Sequence, residues 1–208
     1  MTLLSATTLH ANCFTAMTDT ATPTTVQRAL LLTDVLSDLA FTARYGQPEA
    51  DVRIEKLNKS FAPIAVKNGG ALKRTEETLC LFEFDTAFEA VSTAIQIQRA
   101  VRKYNASQPS RLPEEPVRVR AAVHYGVLRE SGGEIYGEAV MFLAEFQELG
   151  EAEEILVSEP VHRMIAGGAV ESVFFSLETF RGETAEVYQL LWDAALERRT
   201  KANPPSSL

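Results

Sequence analysis

The stretch VRVRAAVHYGVLRESGGEIYGEAVMFLAEFQELG, residues 117–150, changes its character midway. From Val117 to Glu130 its β-branched and apolar residues read as a strand pair or one long bent strand, and the segment after Gly137 reads as a helix. Working outward, EILVS (154–158) is a short strand, Glu159 to Ile165 a helix, and AVESVFFSL (169–177) and AEVYQLLWD (185–193) two further strands. Upstream, VQRALLLTDV (26–35) ends in the short apolar run of a buried strand. In PEADVRIEKLNKSFAPIAVKNGG (48–70), Ile54, Leu57, Phe61 and Ile64 recur at helical spacing. Pro48 stands near the first turn, Asn68-Gly69-Gly70 forms the cap, and Pro63 predicts a kink. ALKR and TLCLFEF then flank the turn Thr75-Glu76-Glu77-Thr78. A second long helix comes next, with Asp85 as N-cap and Phe88, Val91 and Ile95 on one face. Strands joined through helices, with an antiparallel pair at the end, predict an α/β fold in the sense of an α+β sandwich: a mixed sheet with helices packed on it.

Composition bounds the function. With 208 residues, 46% of them hydrophobic, the chain suits one domain with its own core. The Thr-, Ser- and Pro-rich ends predict disordered tails at 1–25 and 194–208 around a domain at 26–193, and Met17 is a second candidate start. A net charge of −8 with no basic face argues against nucleic acid or an anionic membrane surface as partner. No apolar run reaches the roughly 20 residues of a membrane helix. Cys13 and Cys80 make neither a disulfide framework nor a metal-ligand spacing, and His10 and His162 lie too far apart to add one. A reducing, cytoplasmic setting is expected.

Six stretches, in order, resemble the catalytic domain of class III nucleotidyl cyclases over roughly residues 26–192. LLLTDV resembles that family's first metal-binding strand, and LNKSF, NGG and LKRTEETLCLF its helix, cap and hairpin. VRAAVHYGVL, EIYGEAV and EAEEILVSEPVHRMI resemble three further family motifs, and FRGETAEVYQLL its terminal strand. The resemblance implies a ferredoxin-like cyclase fold, a dimer of like chains or with a cyclase-like partner, and Mg2+ or Mn2+ as cofactor if the chain is active.

Position by position, the implied chemistry is altered. Asp34 matches the first metal-binding Asp. The second falls on Glu77, which adds a methylene, and Glu76 replaces a glycine before it. Ser37 and Asp38 occupy the implied phosphate cradle, and Asp38 places a carboxylate where an anion would sit. At about 4 Å such a charge pair interacts by roughly 4 kcal/mol. Met141 and Glu145 stand where the family has an Asn and an Arg that reach a ribose and phosphates across the dimer; spacing of four puts both on one helical face. Methionine donates no hydrogen bond and glutamate carries the wrong sign. Lys73 and Glu134 match the pair that reads the base; they either hold a base or form an exposed ion pair with one another. His124 matches a family His and is read as a satisfied structural residue, Cys80 as core, and Glu148 to Glu154 as a solvated turn.

Three functions are expected from this pattern. The first is a cyclase homology domain with a degenerate site, a catalytically inactive signalling module. The second is a weak nucleotidyl cyclase, alone or as half of a heterodimer. The third is a nucleotide- or base-binding regulatory module using Lys73 and Glu134.

Overall fold

The computed structural model describes residues 22–36, 39–107 and 116–193. Its strands are β1 (Thr24–Leu36), β2 (Ala71–Glu76), β3 (Leu79–Phe84), β4 (Arg118–Ser131), β5 (Glu134–Tyr136), β6 (Ile155–Ser158), β7 (Ser172–Phe180) and β8 (Glu183–Leu190). The helices are α1 (Leu39–Tyr45), α2 (Gln47–Lys67), α3 (Ala87–Ala106), α4 (Glu138–Gln147) and α5 (Glu159–Ile165).

One mixed sheet runs in the order β2-β3-β1-β4-β6-β8-β7, with β5 pairing β4. Only β4 and β6 are parallel; the other pairs are antiparallel. The alternation of side chains along a strand splits the core in two. On one face Ala29, Leu31, Val119 and Val123 meet Phe61, Ile97 and Val161 from α2, α3 and α5. On the other, Leu30, Leu32, Ala122 and Leu128 meet Val140, Leu143 and Phe146 of α4. Because β1 is buried on both faces, its apolar run is continuous rather than alternating.

Several local expectations are corrected. Of the two readings of 117–130, the single long strand holds, as the 14 residues Arg118–Ser131. Pro63 lies inside α2, which continues to Lys67. The N-cap of α3 is Thr86 rather than Asp85: its hydroxyl accepts from the Glu89 amide at 3.3 Å, and Glu89 accepts from the Thr86 amide at 3.0 Å. Phe88, in the first turn of α3, is 63% exposed, while Val91 and Ile95 further along are buried. Strand β2 extends to Glu76, so the turn after it is shorter than expected. The acidic run is a built corner. Glu153 accepts from Arg102 at 2.8 Å and its carbonyl from the Trp192 indole at 2.9 Å, while Glu154 accepts from Gln189. Thr24 and Thr25, expected in a tail, pair with β4. Helix α1 begins at Leu39, directly after the implied phosphate cradle. His10, Cys13, Met17, Ser37 and Asp38 lie outside the described residues.

Two glycines are fixed by their surroundings. Gly137 opens α4 at φ 118, a conformation that costs a side chain dearly. At Gly70 an added Cβ would come 2.1 Å from the ring of Phe84.

Candidate functional site

Asp34 lies near the end of β1 in the series Leu30, Leu32, Asp34, which faces α4. Directly opposite it in the antiparallel register stands Arg120 of β4. Arg120 donates to Asp34 Oδ2 from Nε at 3.0 Å and approaches it with Nη2 at 2.9 Å. Gln147, at the end of α4 and only 3% exposed, adds a third donor at 3.0 Å. The remaining guanidinium nitrogen, Nη1, donates to the carbonyls of Glu148 and Gly150 at 3.1 and 3.2 Å. Both charged side chains are largely buried, 7% and 17% exposed. Removing one partner of such a pair costs about 3–5 kcal/mol, because the other charge is left uncompensated.

Glu77, the other carboxylate expected to hold metal, is exposed on the β2–β3 turn at φ 45. Its carbonyl accepts from Nδ2 of the buried Asn58 at 2.9 Å, which fastens the hairpin to α2. Asp34 and Glu77 both line a cleft of about 1330 Å3 with Phe41, Leu57, Asn58 and Arg120.

Asp34 Oδ2 is taken by three nitrogen donors, so a divalent cation here would have Asp34 Oδ1 and the Glu77 carboxylate as protein ligands, with water or phosphate oxygens completing its shell. Among the described residues no group of three His, Cys, Asp or Glu side chains is placed to hold an ion.

Lys73 and Glu134 do not meet, which corrects the expected ion pair. Lys73, 14% exposed, binds Glu83 at 2.7 Å and Glu130 at 3.1 Å. A register shift between Leu72 and Arg74 takes Lys73 out of simple alternation with β3. Burial pulls its ammonium down, but the hydrogen bonds and charges of Glu83 and Glu130 outweigh this and hold it above its ordinary range. Glu134 binds Arg74 instead, at 3.2 Å.

On α4, Met141 is half-buried and Glu145 accepts from Nε of Arg181 at 3.0 Å. Arg181 occupies the β7–β8 turn at φ 51. Phe142 packs between His124, at 4.6 Å, and Phe180, at 4.7 Å. His124 Nδ1 pairs with the Ser158 hydroxyl at 2.9 Å, and burial pushes the imidazole down to about 4. Cys80 is fully buried, and burial pushes its thiol up to about 11. Arg120, Asn58 and Arg181 sit inside the family-like stretches VRAAVHYGVL, LNKSF and FRGETAEVYQLL, whereas Gln147 sits in none of the six; Arg120 also shares the α4-facing parity of Ala122, which points to a carboxylate partner.

No family model matches the chain, and no relative is found among curated proteins. Solved structures are similar. An adenylate/guanylate cyclase/hydrolase from Silicibacter pomeroyi matches at 22% identity and TM-score 0.70, over 81% of this chain and 98% of its own. The adenylyl cyclase CyaB from P. aeruginosa matches at 15% identity and TM-score 0.71, over 82% and 96%. The non-canonical dimeric guanylyl cyclase domain of the RhoGC fusion protein from Blastocladiella emersonii matches at 14% identity and TM-score 0.67, over 82% and 98%.

Proposed function

We propose that this chain, which has the fold of adenylate/guanylate cyclase catalytic domains, is a catalytically inactive signalling module built on that fold. The observation that carries the reading is the Glu145–Arg181 pair. On the helix where the resemblance implies a cation facing phosphates, the side chain is an anion, held by a cation of its own chain. By analogy with arginine fingers, loss of such a cation costs roughly 10³–10⁵ in rate. Met141 removes the neighbouring hydrogen-bond donor as well. The altered metal position, with Glu77 in place of the second metal-binding Asp and Glu76 in place of the glycine before it, supports the same reading.

Its setting is cytoplasmic and its working form a dimer, with itself or with a cyclase-like chain. Dimerisation is supported by the fold and by the dimeric neighbour from Blastocladiella emersonii. No helix among the described residues is long and apolar enough to cross a membrane.

The test is incubation of the purified chain with Mn2+ and ATP, GTP, CTP and UTP, with mass spectrometry for cyclic products and Asp34→Ala as blank. No cyclic product is expected. Product from the wild type that vanishes in Asp34→Ala would overturn the reading.

A further inference from the structure

We infer that the segment from Glu148 to Glu154 is a strap that couples the Asp34 cleft to Trp192 and Asp193, where the chain leaves the sheet after β8, so that a displacement at that exit is felt at Arg120. The observation that carries this is Glu153, which sits at φ 67. A side chain disfavours that left-handed backbone, and a residue persists in it where its surroundings over-determine it. Three groups of Glu153 are engaged at once. Its amide donates to the Val119 carbonyl at 2.8 Å, its carbonyl accepts from the Trp192 indole at 2.9 Å, and its carboxylate accepts from Arg102 Nη2 at 2.8 Å. Arg102 also holds Asp193 through Nη1 at 2.9 Å, and its guanidinium lies 4.1 Å from the centre of the Trp192 ring. One residue of α3 therefore grips both the strap and the exit.

The other end of the strap lies on the cleft. Arg120 Nη1 donates to the Glu148 and Gly150 carbonyls at 3.1 and 3.2 Å, and Glu148 lines the cleft. The strap also holds β4 on either side of Arg120: the Glu153 amide bonds to Val119, and the Ala121 amide donates to the Glu154 carbonyl at 3.0 Å. A contiguous hydrogen-bonded path thus runs from Trp192 through Glu153 to the backbone that carries Arg120. The coupling does not depend on whether the chain forms a cyclic product.

Trp192 is the only tryptophan of the chain, so its emission reports on the exit. Coupling between two sites is mutual, so Arg120→Lys should shift the Trp192 emission maximum. Conversely, Trp192→Phe keeps an apolar ring and loses the N–H donor. In it, hydrogen-exchange protection of the Glu153 and Ala121 amides should fall by about tenfold. The Arg120 Nε proton resonance should move as well, while protection of the Leu81 amide on β3 stays as in the wild type. Should Trp192→Phe not fold, Glu153→Gly takes away the strain and the carboxylate together, and the same loss at Ala121 is expected with Leu81 unchanged. Protection lost at Glu153 but kept at Ala121 would overturn the inference, as would an equal loss at Leu81, which marks general destabilisation. So would an unshifted Trp192 emission in folded Arg120→Lys.

Discussion

Glu145 and Arg181 close the corner between α4 and the β7–β8 turn through a 3.0 Å hydrogen-bonded ion pair, with side chains 29% and 46% exposed. Such half-exposed pairs contribute about 0–1 kcal/mol, so Glu145→Ala should shift the denaturation midpoint only slightly. Glu145→Arg puts two guanidinium groups together and should cost more. The pair Met141→Asn with Glu145→Arg restores the family residue types, yet should still form no cyclic product, because Glu77 remains in place of the second metal-binding Asp and Glu76 in place of the glycine before it. Mass spectrometry on the double variant checks this, and product formation would show that α4 alone had silenced the site.

Lys73 neutralises two carboxylates, of which Glu83 is 9% exposed. Lys73→Met should lower stability by about 2–3 kcal/mol, less than a fully isolated buried charge costs, because Arg28 still stands 3.3 Å from Glu83. The folded ammonium titrates above its ordinary 10.5, so its contribution is complete below that pH and is lost as pH rises through the folded value. Denaturant titrations between neutral pH and about pH 11 should show an alkaline decline that is smaller in Lys73→Met.

His124 is neutral when folded, its imidazole pushed down to about 4 by burial. The unfolded chain takes up that proton near pH 6.5, so stability is complete above about pH 6.5 and falls as the pH drops toward 4. The loss amounts to at most about 3 kcal/mol. His124→Gln should flatten this part of the profile. Unfolding midpoints at neutral pH and at about pH 5 that keep the same difference in both proteins would defeat the assignment.

Gly70→Ala brings a methyl 2.1 Å from Cε1 of Phe84, whose ring is 1% exposed and has nowhere to move. A loss of about 3 kcal/mol is expected, with an apparent melting shift of roughly 6–12 °C. Gly182→Ala meets no neighbour within 4 Å, so its only penalty is the positive φ of 88. It should therefore cost distinctly less in the same thermal melt.

Legibility in the sequence tracks how local the governing pattern is. The apolar run of β1, the cap at Asn68 and the helix from Glu159 to Ile165 depend on neighbours in the chain, and the structure has them as expected. Phe88 departs from expectation because spacing gives the helical face but not how far the core extends along it: Phe88 lies in the first turn of the helix and is exposed, while Val91 and Ile95 further along the same face are buried. The partners of Lys73 are illegible because a register irregularity in β2 decides them. The partner of Asp34 is hidden because it lies 86 positions away, and only the β1–β4 register makes them neighbours. Parity does carry a clue: a strand residue facing a helix-covered core with a guanidinium needs an anion on the adjoining strand.

That same long register sets the order of events during synthesis. β1 is complete early, but every residue it pairs with on β4 is made much later; at about 5–20 residues per second the 86-position gap between Asp34 and Arg120 takes roughly 4–17 s. Through that interval Ala29-Leu30-Leu31-Leu32, buried on both faces in the finished sheet, has β3 on one edge and α2 and α3 over one face, but neither β4 on its other edge nor α4 over its other face. The nascent chain therefore passes through a stage with an apolar strand edge open to chaperones or to other nascent chains. Weakening the β1–β4 seam would be felt first as poor yield on expression rather than as a lower melting point of the protein that survives.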